Sequence, residues 1–155
     1  MAPSSGEELK NMINLALSIN NKPSAIRYPR DLAHEYKNND KFKKIIIGKG
    51  KVIKNGKKVA FLNLGTRLKK VLEISELIKK NFKLDCSIVD MRFAKPIDVK
   101  LIQKLMKNHD IFVTIEENAI GGFSSQVNDF LINKISNTPK ILNFFMKDEF
   151  IDQSD

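Results

Sequence analysis

At 155 residues with 42% hydrophobic side chains, the chain can form one ordinary domain, or a small domain with a piece of another. The 27 Lys and Arg against 18 Asp and Glu give a formal charge of +9, which raises nucleic-acid binding as a reading. Only Arg27, Arg30, Arg67 and Arg92 are arginines, and the lysines are scattered through candidate helices and turns, so solvated faces are expected rather than a phosphate-tracking stripe. Cys86 cannot pair within the chain, no apolar run approaches the roughly 20 residues of a bilayer span, and the Met1 segment lacks a basic start and apolar stretch. The expectation is a cytoplasmic protein with no nucleic-acid and no membrane partner.

In chain order, Ser5 with Glu8 fits a capping box, and Leu9, Met12, Ile13, Leu15 and Leu17 predict a helix to about Ile19. Pro23–Ile26 is a short candidate strand, and Arg27-Tyr28-Pro29-Arg30 follows, with Tyr28 held extended by the proline after it. Residues 31–44 are polar and without periodicity, and read as a linker. Ile45–Ile47, Val52–Ile53 and Val59–Asn63 are apolar runs, and Asn55-Gly56 predicts a hairpin between the last two. Thr66 is placed as the N-cap of a helix carrying Leu68, Val71, Leu72, Ser75, Ile78 and Phe82. Leu84–Val89 is the next strand, and Asp98 caps a helix holding Leu101, Ile102, Leu105 and Met106.

Ile111–Ile115 reads as a buried strand ending in Glu116-Glu117. Gly121-Gly122 then turns the chain into a helix with Val127, Phe130, Leu131 and Ile135 on one face, and Lys140–Phe144 is a last strand before an irregular end. From Val59 onward strand and helix alternate, which predicts a mostly parallel sheet with helices on both faces.

No Walker loop and no dinucleotide glycine pattern is present. His34 and His109 are read as ordinary surface or loop histidines, and Cys86 as a small core residue. In Arg27-Tyr28-Pro29-Arg30 two guanidinium forks flank a stiff dipeptide. That arrangement suits phosphate oxygens and equally suits an arginine paired with a nearby carboxylate. Glu116-Glu117-Asn118 can be a base at a strand end, but charge complementing a helix N-terminus, or an interface contact, is the favoured role. Asp90-Met91-Arg92 is read as an internal Asp–Arg pair of structural purpose.

MAPSSGEEL, PSAIRYPR, IGKGKVIKNGKKVAFLNLGT, IVDMRFAKPID and VTIEENAIGGFSSQVN, in this order and spacing, resemble the C-terminal part of the 1-deoxy-D-xylulose-5-phosphate synthases. These are thiamine-diphosphate enzymes of the transketolase family, and the resemblance covers nearly the whole chain. It implies a three-layer α/β/α fold of the transketolase C-terminal type over residues 45–155, preceded at 1–30 by a remnant of the pyrimidine-binding domain and a linker at 31–44.

The resemblance also implies condensation of pyruvate with D-glyceraldehyde 3-phosphate, with loss of carbon dioxide, in a full-length homodimer that uses thiamine diphosphate and Mg²⁺. The cofactor and metal ligands are implied to lie on other segments, so no catalytic, cofactor-binding or metal residue is placed here. Arg30 matches the family arginine that binds the acceptor's phosphate, and Arg27 is a second substrate-binding candidate. The family has glycine where this chain has Asp31. Met1 resembles an internal methionine and the helical tail of the family is missing, so the chain reads as a fragment, inactive alone. The alternatives are a non-catalytic module that assembles with a separate thiamine-diphosphate-binding chain, and a basic nucleic-acid-binding protein.

Overall fold

The computed structural model describes residues 1–30, 43–134 and 138–149. Five strands form one sheet: β1 (Lys51–Lys54), β2 (Lys58–Asn63), β3 (Ser87–Asp90), β4 (His109–Ile115) and β5 (Lys140–Phe144). Their spatial order is β1-β3-β2-β4-β5. The β2–β3, β2–β4 and β4–β5 pairs are parallel, and only β1 runs antiparallel, at an edge. The described helices are α1 (Gly6–Leu17), α2 (Leu68–Phe82), α3 (Val99–Met106) and α4 (Phe123–Lys134).

Alternation along the strands builds two cores. Ala60, Leu62, Val89 and Phe112 point to one face, where Ile102 and Leu105 of α3 and Phe123, Val127 and Leu131 of α4 cover them. Phe61, Ile88 and Val113 point to the other, where Val71 of α2 packs among Leu68, Leu72 and Ile78. The helices therefore lie on both faces of a mostly parallel sheet, as the alternation of elements predicts. Cys86 is fully buried in the second core, and burial pushes its thiol up from the usual range, as suits a packing residue.

The N-terminal segment docks on this sheet. Ser5 Oγ accepts from the Glu8 N–H (3.2 Å), which starts α1 as expected. Met12 is buried against Ile45 and Phe93, while Ile13 and Leu17 stay exposed. Residues 23–26 form no strand. The chain there is held by two backbone bonds to the first residue, Met1 N to the Ala25 carbonyl (2.8 Å) and Arg27 N to the Met1 carbonyl (2.9 Å). Most of the expected linker, with His34, lies outside the described residues. Lys43 is tied to α1 through its N–H on Asn11 Oδ1 (3.0 Å) and its ammonium on Glu7 (2.8 Å).

Several expectations are corrected. Ile45–Ile47 is not a strand; Ile45 is instead a buried contact of α1. Asn55-Gly56 makes no hairpin, because β3 lies between β1 and β2. Gly56 is needed for a different reason: its N–H donates to Ser87 Oγ (2.8 Å), and a Cβ there would collide with the Asp85 carbonyl. Thr66 does not cap α2. The N-cap is Arg67, without a side-chain bond, because the Thr66 hydroxyl is engaged elsewhere. His109 is buried rather than a surface residue. Its Nδ1 faces the Leu105 carbonyl at the end of α3 (2.6 Å) and its Nε2 the Ser87 hydroxyl (2.9 Å). A carbonyl can only accept, so the Nδ1 carries a proton in this arrangement.

Candidate functional site

The topology fixes where a site should form. Helix α2 leaves β2 toward one face, and α4 leaves β4 toward the other, although β2 and β4 are neighbours. The turns after two such strands diverge and leave a crevice at their carboxyl ends. In this chain those turns are Gly65-Thr66-Arg67 after β2 and Glu116-Glu117-Asn118 after β4. Arg27 comes to the same edge.

Glu116 and Glu117 take opposite roles there. The Glu116 carboxylate is buried and accepts the first N–H groups of α4, Phe123 N on Oε2 (2.9 Å) and Ser124 N on Oε1 (2.7 Å). It thus satisfies donors that a helix start leaves unpaired, with its charge at the positive end of the dipole. Gly122 is the condition for this, since a Cβ at that position would strike Glu116 Oε2. The favoured reading of the acidic pair, helix-terminal charge, holds for Glu116.

Glu117 instead gathers partners from two distant segments. Its Oε1 accepts from the Thr66 hydroxyl (2.7 Å) and from Arg67 Nε (2.7 Å), and its main-chain carbonyl accepts from Arg27 Nη1 (2.6 Å). Arg27 Nη2 lies 3.6 Å from where a Gly65 Cβ would stand. The arginine is therefore seated against both turns of the crevice. Arg30 is exposed, and among the described residues its guanidinium has no hydrogen bond or ion pair. Asp31 lies outside the described residues.

A second polar cluster sits at the carboxyl end of β3. Asp90 Oδ2 accepts from the Ser4 hydroxyl (2.5 Å) and Oδ1 from the Arg92 N–H (3.1 Å). Arg92 adopts a left-handed backbone (φ 60°), which the Asp90 bond to its N–H helps to hold. The expected Asp90–Arg92 ion pair does not form. The Arg92 guanidinium goes to Glu8 of α1 (2.6 Å), both side chains being largely buried. Burial, reinforced by the nearby Glu8 charge, raises Asp90 to about 6 against the opposing Ser4 bond. Asp98 caps α3 as expected, accepting from Leu101 N (3.1 Å), and also holds Lys49 Nζ (3.1 Å) and Gly50 N (3.2 Å).

No group of three or more His, Cys, Asp or Glu side chains among the described residues is arranged to hold a metal ion. No helix among them is long and apolar enough to cross a membrane.

Residues 48–153 match the family model described as the transketolase C-terminal domain. The chain belongs to that family. Along 97% of its length it is 41% identical to a 1-deoxy-D-xylulose-5-phosphate synthase of Shewanella denitrificans, and along its full length 40% identical to that of Shewanella woodyi. It spans only about a quarter of these curated relatives, 23% and 24% respectively. Among solved structures it resembles a protein described as a split gene transketolase, inactive beta4 tetramer. The likeness has a TM-score of 0.78 and 25% identity, over 95% of this chain and 47% of that one.

The site was partly legible. The acidic pair is at the strand end where the sequence places it, and Arg27 meets it there although the strand expected before Arg27 does not form. The bond from Arg27 to a main-chain carbonyl carries no sequence signal, because every residue has a carbonyl. Ser4, Thr66 and Arg67 have no such sequence signal as members of these clusters because their side-chain partners, Asp90 for Ser4 and Glu117 for the other two, are 50 or more positions away.

Proposed function

We propose that this chain is the C-terminal part of a 1-deoxy-D-xylulose-5-phosphate synthase, and that it holds the phosphate of D-glyceraldehyde 3-phosphate through Arg30. The observation that carries the reading is near-complete coverage of this chain by the synthases at about 40% identity. An exposed arginine that has no partner among the described residues, three positions after Arg27, supports the phosphate role. Thiamine diphosphate, when bound with Mg²⁺, supplies the carbanion chemistry that joins the pyruvate-derived carbons to the aldehyde. In this reading the ligands of that metal belong to other segments or another subunit, in a homodimer when the protein is full length. The part played by these residues is to hold and orient the acceptor, which lowers the entropy cost of bringing it to the reacting carbon.

Residues 1–30 are the end of the pyrimidine-binding domain in this reading, 31–44 the linker and 45–155 the C-terminal domain. A second reading has support of its own. The likeness to a split gene transketolase favours a subunit that assembles with a separate cofactor-binding chain. Both readings expect the purified chain to release no carbon dioxide from pyruvate with thiamine diphosphate and Mg²⁺. They also expect the Arg30 side-chain NMR signal to move with D-glyceraldehyde 3-phosphate and to ignore D-glyceraldehyde. Turnover by the chain alone overturns the first expectation, and an unresponsive Arg30 overturns the phosphate role. Co-purification with a cofactor-binding chain selects the second reading.

A further inference from the structure

We infer that Arg27, Glu117 and Arg67 are positioning residues that preset the loop presenting Arg30, so that one guanidinium rather than two meets the acceptor's phosphate. The inference rests on the phosphate reading of Arg30 and deepens it. Arg27 and Arg30 flank the same Tyr-Pro dipeptide, yet they stand in different surroundings. Arg27 has its main-chain N–H on the Met1 carbonyl (2.9 Å) and its Nη1 on the Glu117 carbonyl (2.6 Å). It is thereby fixed at both backbone and side chain. Arg30 has no partner among the described residues.

The residue that receives Arg27 is itself fixed. Glu117 cannot move without releasing Thr66 and Arg67 from its carboxylate. Thus the turn after β2, the turn after β4 and the arriving 25–27 segment form one connected unit across the crevice. Three residues beyond its last bond stands Arg30, with Pro29 restricting the backbone between. A phosphate that binds Arg30 then meets a loop that is already ordered, and the ordering cost of binding falls. Glu117 also keeps the unit from acting as a three-arginine anion trap, since its carboxylate occupies Arg67.

The test follows arginine Nε–H signals of the whole chain while D-glyceraldehyde 3-phosphate is added. The Arg30 signal should move and saturate while the Arg27 signal stays in place. Arg27→Ala and Glu117→Gln should each weaken the apparent Kd read at Arg30 by about two- to tenfold. Arg27→Lys, which keeps a donor for the carbonyl, should recover part of the loss. Amide spectra establish that each variant is folded, and Glu117→Gln carries the test if Arg27→Ala is not. Movement of the Arg27 signal in step with that of Arg30 overturns the inference, because Arg27 then touches the ligand itself. Folded variants that bind like the unaltered chain also overturn it. A silent Arg30 in the unaltered chain overturns the phosphate reading and this inference with it, and that failure is visible before any substitution is made.

Discussion

Replacing Asp90 by asparagine should stabilise the chain at neutral pH, which is unusual for a carboxylate that accepts two hydrogen bonds. Burial raises Asp90 from 3.8 to about 6 in the folded state. A group with a raised folded pKa contributes stability that is fully present below its unfolded pKa and is lost as pH rises through the folded one. The window is therefore pH 3.8 to about 6, and above it the ionised carboxylate is a cost of about 3 kcal/mol, from roughly two units at 1.36 kcal/mol each.

Asparagine imitates the protonated form. Its oxygen can still accept from the Arg92 N–H, and its amide can donate to Ser4 Oγ once that hydroxyl rotates. Urea unfolding at pH 7.5 should thus find Asp90→Asn more stable by up to about 3 kcal/mol. At pH 5 the unaltered chain has already taken up the proton, and the advantage should shrink by about 1.4 kcal/mol. Comparing the two proteins at each pH cancels the contributions of Glu7 and Asp85, exposed carboxylates held low by lysines. A variant that is less stable at pH 7.5, or a difference that does not change with pH, refutes the reasoning.

Other outcomes follow from the same geometry. Gly122→Ala places a methyl group against the Glu116 carboxylate and should cost about 1–3 kcal/mol in thermal or urea unfolding; a neutral result means that Glu116 does not cradle the start of α4. Arg92→Met should cost about 3–5 kcal/mol because it leaves Glu8 charged and buried, and adding Glu8→Gln should restore much of it. An additive double variant shows that the two residues do not interact in solution. Asp98→Ala should cost about 1–2 kcal/mol through loss of the α3 cap, and Asp98→Asn clearly less, measured by the same unfolding curves.

What could be read in advance follows from the range of the interactions. Helix periodicity and caps such as Ser5 and Asp98 act within four residues, so they are visible in the sequence. The alternation of strand and helix likewise fixes a parallel sheet, because parallel neighbours need a crossover. The failures share one cause. Asn55-Gly56 has the chemistry of a hairpin turn, but the strand that pairs with β1 arrives more than 30 residues later, as Lys51↔Asp90 and Val52↔Val89. Thr66 has the chemistry of a cap, but Glu117 competes for its hydroxyl. His109 has a polar side chain, but its Nε2 partner Ser87 lies 22 positions away. In each case a long-range partner overrides a sound local preference.

The distribution of arginine joins these observations. The chain uses lysine almost everywhere, and lysine serves well in the surface pairs of Lys43 with Glu7, Lys70 with Glu73 and Lys79 with Asp85. Such exposed pairs contribute little and demand little geometry. All four arginines stand at the carboxyl end of the sheet or in the segment docked there. Arg92 lies largely buried against Glu8, a position where a strongly hydrated ammonium costs more to desolvate than a guanidinium. Arg27 needs a flat group that fits between the Gly65 turn and the Glu117 carbonyl. Arg67 reaches Glu117 through Nε, a donor that lysine lacks at that distance from the backbone. Three of the four are thus retained for the shape of their contacts, each joining segments far apart in sequence. Arg30 carries the same fork, and in the proposed function the acceptor's phosphate is its partner.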